Sequence, residues 1–306
     1  MFKHILVPLD GSRLAEAALP YAATLATTLG AAITLIHVIE HDAPSEIHSD
    51  RHLTDPEEAA AYLAEVAGRA LPIQAAVDTH VHTNEVRDVA RSIVDHADEL
   101  APDLIVMCTH GRSGLRDVFV GSIAQQVIAR GNTPVLLVTP HDRGEGSFRC
   151  RQVLVPLDGD PEHEQGLPVA VKLSEAFGAA LHLLMVIPTL ETLKGERAAT
   201  GRMLPGAMRA MLDLREPGGK DYLAHQLAAI KPTGLSLSGE VARGEVVPNI
   251  VEAAARMHTD LIVLGTHGKT GMDAFWSGSV TPRLSGRSDI PLLLVPLRNK
   301  EPEKNL

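Results

Sequence analysis

The stretch "KHILVPLDGSRLAEAALPYAATLATTLGAAITLIHVIE" at 3–40 returns without a gap as "RQVLVPLDGDPEHEQGLPVAVKLSEAFGAALHLLMVIP" at 151–188, with 17 of 38 positions identical. Two further pairs keep the same order. "DLIVMCTHGRSG" (103–114) matches "DLIVLGTHGKTG" (260–271), and "TPVLLVTP" (133–140) matches "IPLLLVPL" (290–297). A spacing of about 150 residues is far longer than a solenoid repeat, so it marks a duplicated domain. The 306-residue chain divides into a first domain at 1–142, a linker at 143–148, a second domain at 149–297 and a tail at 298–306.

Each copy carries the same alternation. Short apolar runs such as "HILVPL" and "QVLVPL" end in Asp-Gly and suit buried parallel strands. A helix follows, marked at its start by Ser12 in the first copy and by Asp160-Pro161 in the second, and closed by Gly30 or Gly178. Strands "AAITLIHVI" and "AALHLLMVI" come next, then a variable segment, a third strand, a helix, "DLIVM" or "DLIVL", a glycine-rich loop, a helix and a last strand. Five strands alternating with helices predict an α/β fold: a parallel sheet covered on both faces, joined by right-handed crossovers.

Composition narrows the function classes. Hydrophobic residues make up 45% and charged residues 22%, as expected of a globular protein, while aromatics at 3% leave the core to Ala, Val, Leu and Ile. A net charge of −10 argues against nonspecific binding to nucleic acid or an anionic membrane surface. Two cysteines, Cys108 and Cys150, provide neither a disulfide framework nor a CxxC knuckle. The start, "MFKHILVPLDG", reads as strand and turn, and no apolar run approaches the ~18 residues of a membrane span. A cytoplasmic location is expected.

In an open parallel sheet, ligands sit beyond the carboxyl ends of the strands where the winding reverses. With the first strand central, the loops after strands one and four meet there. In the second copy Gly265 and Gly268 permit positive φ and close backbone approach, and Gly278-Ser279 opens a helix whose free amides face an anion. Lys269 adds a charge, and an aspartate after the first strand is placed to accept a ribose hydroxyl. The loop is not a P-loop, because GxxxxGK[ST] requires glycine where Val263 stands, and Arg112 replaces the lysine in the first copy.

These residues resemble the universal stress protein family. "VPLDGS", "DLIVLGTHGKTG", the later "GSV" and "PLLLVP" carry the resemblance, and together they span nearly the whole chain as tandem domains. The resemblance implies a five-stranded parallel sheet of order 3-2-1-4-5 in each domain, and ATP, with Mg2+, as the ligand. The nucleotide-binding branch spaces a glycine, two residues, a glycine, nine residues, then glycine and Ser or Thr. Gly265, Gly268, Gly278 and Ser279 fit it in full. By similarity Asp158 holds ribose, Val186 lines adenine, Leu264 flanks base or ribose, and Val280 and Thr281 continue the phosphate turn. The first copy supplies Asp10, Val38, Met107, Gly111, Gly121, Ser122 and Ile123 at matching places, but Cys108 stands where the first glycine belongs. Three consequences stay open for Cys108: a left-handed backbone costing about 1 kcal/mol, obstruction of the ligand, or simple tolerance. As a lone thiol at the end of an apolar strand, it reads as inert.

The histidines at 37, 41, 48, 52, 80 and 82 do not follow a metal-ligand spacing, and the run from 37 to 52 reads as a solvated loop. The segment 189–220 reads as a helix with a surface loop, or as a lid bringing Arg197 or Arg202 to phosphates. The resemblance further implies pairing of the two halves through their last strands, as a pseudo-dimer within one chain, and a homodimer of whole chains. The function expected is an ATP-binding tandem stress-response regulator or sensor. It is not an enzyme beyond slow hydrolysis, since no general base is identifiable. A nucleotide-free scaffold acting through protein partners is the alternative. An adenylate-forming transferase would need an SGGxD or HxGH loop after the first strand, and "PLDGS" and "PLDGD" supply neither.

Overall fold

The computed structural model describes residues 1–44, 46–47, 50–109, 121–140, 148–193, 195–266 and 280–297. Contacts group the chain into two compact units, one formed chiefly by Phe2–Phe148 and the other by Arg149–Leu264 with Val280–Leu292. Each is described by itself.

The first unit opens with β1 (His4–Pro8), in which Ile5, Leu6 and Val7 are fully buried. The turn after it leads into α1 (Arg13–Glu16), capped by Ser12, whose side chain accepts from the Ala15 amide. Helix α2 (Leu19–Leu29) ends at left-handed Gly30 and returns the chain to β2 (Ala32–Glu40). A two-residue hairpin, β3 (Glu46–Ile47) and β4 (Asp50–Arg51), precedes α3 (Pro56–Ala70). That helix has Asp55 as N-cap and proline in its first turn, the arrangement that satisfies and pre-orders a helix start. Then follow β5 (Val77–Val86), α4 (Val89–Leu100), β6 (Leu104–Cys108), α5 (Ser122–Arg130) and β7 (Val135–Val138). The strands lie in the order β5-β2-β1-β6-β7, and the paired registers of β1 with β2 and β6, β2 with β5, and β6 with β7 are parallel. Numbered within the domain, this is the expected 3-2-1-4-5. Helix α2 contacts α3, and α4 packs against α5.

The second half of the sequence repeats the plan with β8 (Gln152–Leu157), α6 (Gly166–Phe177), β9 (Ala180–Ile187), α7 (Gly195–Met203), α8 (Pro205–Ile230), β10 (Leu237–Arg243), α9 (Val246–Arg256), β11 (Leu261–Thr266), α10 (Val280–Ser285) and β12 (Leu292–Pro296). The order is again 3-2-1-4-5, as β10-β9-β8-β11-β12. Asp160 does cap a helix start, accepting from Glu162, but the turn it caps is a short 3-10 one, and α6 begins only at Gly166.

The Asp of both "DLIV" runs has a structural task. Asp103 accepts from the backbone amides of Lys3 (2.7 Å) and His4 (3.1 Å), and Asp260 does the same for Arg151 (2.7 Å) and Gln152 (3.0 Å). Each carboxylate pins the entry of the central strand beside the start of strand four. The central pair thereby holds the register on which the loops at its other end depend.

The segment 189–220 is mostly helical. Helix α8 alone spans 26 residues, with Pro217 inside it. The histidines correct the solvated-loop expectation in part: His37 is 1% exposed within β2 and His52 is 5% exposed, so both belong to the interior. His48 lies outside the described residues. His80 and His82, on β5, gather with His96 of α4, with ring centroids 4.7 and 4.9 Å from the His96 ring. Burial, then the neighbouring His80 and His82 charges, hold His96 below the ordinary histidine value. Among the described residues no group of three or more His, Cys, Asp or Glu is arranged to hold a metal ion.

Candidate functional site

The switch point of the first unit contains a cleft beyond the carboxyl ends of β1, β2 and β6. Five of the sequence-chosen residues line it: Asp10, Val38, Met107, Cys108 and Ile123. Gly121 and Ser122 stand immediately before Ile123, Gly121 capping α5 and Ser122 opening it, so the expected Gly-Ser helix start is in place. Gly111, Arg112 and His110 lie outside the described residues.

Asp10 is held by the chain's own turn. Its Oδ1 accepts from the Ser12 amide (2.9 Å) and the Ser12 hydroxyl (2.6 Å), which fixes the carboxylate at the cleft edge. Gly11 makes the turn with φ +89. A Cβ there would lie 2.9 Å from Leu53 Cγ, so glycine is required by both backbone conformation and space.

The geometry answers part of the Cys108 question. Cys108 is the last residue of β6, paired with Val138 of β7, so its backbone is extended and no left-handed penalty arises. Its Sγ points to the Ala15 carbonyl at 3.6 Å, and the residue is 4% exposed. Burial, reinforced by the Asp10 charge, pushes the thiol well above its ordinary value, in keeping with an inert cysteine.

The segment around 50–55 was the part sequence reading missed. His37 Nδ1 lies 2.8 Å from the Leu9 carbonyl and its Nε2 lies 3.0 Å from the Leu53 carbonyl. Both are acceptors, and a neutral imidazole donates to only one of them. His37 thus ties the turn after β1 to residue 53, while the Arg13 amide donates to Asp50 at 2.9 Å. Leu53 itself packs into a small buried cluster with Ile39 and Ala59. The signal available in the sequence was the placement of His37 inside an otherwise apolar strand.

In the second unit Asp158 follows β8 as Asp10 follows β1. Its Oδ1 accepts from the Asp160 amide at 3.0 Å, and its Oδ2 lies 2.6 Å from His163 Nδ1. The hydrogen bond to Asp158 raises the His163 value above that of an ordinary histidine. Val186 is half-buried in β9, Leu264 is buried in β11, and Gly265 lies exposed inside the same strand. Gly265 therefore occupies strand, as Cys108 does, and its place is not a left-handed turn. Val280 and Thr281 start α10. Gly268, Lys269, Gly278, Ser279 and His267 lie outside the described residues.

Comparison with known proteins agrees with this plan. The family model described as "Universal stress protein family" matches twice, at 1–139 and 150–296. A universal stress protein of Mycolicibacterium smegmatis is 27% identical over 304 residues, covering 95% of this chain and 96% of that protein. A universal stress protein of Synechocystis is 36% identical over 138 residues, 45% of this chain and 86% of that protein. In fold, the crystal structure of a universal stress protein from Archaeoglobus fulgidus aligns over 97% of both chains, with a TM-score of 0.68 at 18% identity. Two copies of the family's domain, each with its switch-point loops, make this chain a tandem member of the universal stress protein family.

Proposed function

We propose that the chain is an ATP-binding stress-response regulator or sensor, holding adenine nucleotide at its switch points. The observation that supports this most is the first-half cleft. It combines an apolar wall, a carboxylate fixed at its edge and the start of a helix, which suit a base, a ribose and a phosphate in turn. Val38 and Met107 would flank adenine, Asp10 would accept a ribose hydroxyl, and the amides opening α5 would face phosphate, with Mg2+ accompanying it. Asp158, Val186 and Leu264 would serve the second half in the same roles. Hydrolysis, if present, is expected to be slow, and the protein acts as a binder rather than an enzyme.

The same reading takes the two halves to pair through their last strands and whole chains to form a homodimer, for which molar mass in solution is the check. It places the protein in the cytoplasm and gives it no nucleic-acid or membrane partner. Among the described residues no helix is long and apolar enough to cross a membrane.

A nucleotide-free scaffold is the second reading. It is favoured by Met203, Leu204, Met211 and Leu214, which stand 81, 60, 45 and 76% exposed on α7, α8 and the residue between them. Denaturing the purified protein and quantifying the released small molecules separates the two. ATP or ADP in stoichiometric amount supports the nucleotide reading. No released nucleotide, together with no binding at millimolar ATP·Mg, contradicts it and leaves the scaffold.

A further inference from the structure

The 50–55 segment brings into the first-half cleft a side chain that the fold leaves unsatisfied. His52 lines the cleft with its side chain only 3% exposed, and among the described residues its Nδ1 has no hydrogen-bond partner. Its Nε2 lies 4.0 Å from Glu40 Oε2. That carboxylate is beyond hydrogen-bond distance, but its negative charge favours the proton on Nε2, which leaves Nδ1 as an acceptor. An unpaired polar atom at this depth destabilises the fold, and a ligand donor would remove that cost.

The neighbouring polar groups have the same sign. Asp10 and Glu40, which also line the cleft, are carboxylates. His37 has both ring nitrogens turned to the Leu9 and Leu53 carbonyls, so it has no donor left for a ligand. The lining also includes Val38, Ile93 and Met107, which offer only apolar surface. A ligand that fits must therefore present N–H or O–H groups to the polar side and a flat apolar face to the other.

We propose that His52 is a specificity-determining contact of the first-half cleft, where its Nδ1 accepts a hydrogen bond from an exocyclic amine or a sugar hydroxyl of a nucleoside. A carbonyl oxygen in that place would meet a lone pair and be disfavoured. The inference rests on the nucleotide reading of the cleft. It belongs to the first half, because in the second half β9 leads into α7 and α8 instead of a segment of this kind.

The test uses the full chain carrying Gly268→Val, which disables the second site. Calorimetry then compares ATP with inosine triphosphate, whose amine is replaced by a carbonyl, and with the two deoxy analogues that each lack one ribose hydroxyl. ATP should bind, and at least one of the three should bind about tenfold more weakly, equivalent to ~1.4 kcal/mol. His52→Phe keeps a buried ring without its nitrogens and should erase that preference. Equal binding of all four nucleotides overturns the proposal, as does an unchanged preference in the His52→Phe chain. If that variant does not fold, His52→Leu, which likewise lacks the ring nitrogens, takes its place in the same four-ligand comparison. ATP binding to wild type but not to the Gly268→Val chain overturns this inference and leaves the proposed function standing on the second half. A wild-type chain that binds no nucleotide overturns the proposed function itself.

Discussion

The two halves share a first strand, an Asp-Gly turn and a "DLIV" strand, yet their switch points are held by different means. In the first half the Asp10 turn is tied to residues from beyond β2, through His37 and the Leu9 and Leu53 carbonyls. In the second, Asp158 is met locally by His163, five residues along the chain. Duplication preserved the sheet because the sheet is specified by buried apolar runs. The loop supports diverged because each need only hold one carboxylate in place. Both carboxylates are met locally, Asp10 by Ser12 and Asp158 by Asp160 and His163, and the first-half turn is tied in addition to Leu53 through His37.

Removing the long-range tie should have the largest effect. His37→Leu removes the one proton the ring donates, leaves an interior carbonyl oxygen without its donor, and is expected to destabilise the first half by about 1–3 kcal/mol. Urea denaturation gives the magnitude, and hydrogen exchange should show faster opening at residues 50–55. A loss below about 1 kcal/mol, typical of a surface change, would mean that His37 does not hold the segment.

The paired turns offer a sharper comparison. Gly11 and Gly159 have nearly equal φ, +89 and +84, so alanine carries the same conformational penalty of about 1–2 kcal/mol at both. Surroundings differ. A Cβ at 11 would meet Leu53 Cγ at 2.9 Å, whereas one at 159 would meet only the flexible Met185 Cε at 3.2 Å. Gly11→Ala should therefore cost more than Gly159→Ala in paired thermal denaturations, and equality or the reverse order would break the comparison.

Much of this was legible in the sequence. The apolar runs, Asp-Gly turns and cap residues Ser12, Gly30 and Gly178 fix strands, helices and their order, because burial and capping are local or periodic signals. Five residues of the first-half cleft were legible through the family resemblance, four at or beside strand ends and Ile123 in the first turn of α5. The burial of His37 and His52 was not. A histidine 28 and 16 residues away from its acceptor carbonyls gives no periodic sign, and residues 41–55 have the composition of an exposed loop. Asp103 and Asp260 were visible as repeated letters, but their grip on the central strand appears only once the two strands are side by side.

Cys108→Gly gives the first half the residue found in the second. Because Cys108 already sits in extended strand, the change should relieve no strain and should instead cost about 0.5–1 kcal/mol. A stabilising effect by thermal denaturation would reveal strain that the strand geometry does not contain. The thiol should also react slowly with a disulfide reagent until the chain is unfolded.

The smallest effect is expected from pH. The Asp158 hydrogen bond raises His163 above its unfolded value of about 6.5, so the stability it contributes is complete below that pH. It is lost as pH rises through the higher folded value. His163→Gln should remove this component, visible as a flatter stability profile above pH ~6.5 than in wild type. His182, lowered chiefly by burial, remains in both proteins and cancels in the comparison. Identical profiles would show that the pair is not formed in solution.

The central claim is that the first-half cleft is a nucleotide site despite Cys108. Hydrogen exchange of the full chain with and without ATP·Mg, resolved by peptide, tests it directly. The account predicts slowed exchange at the Asp10 turn, at residues 50–55 and at the Met107–Cys108 end of β6. Protection confined to the second half, or absent from both, would contradict it.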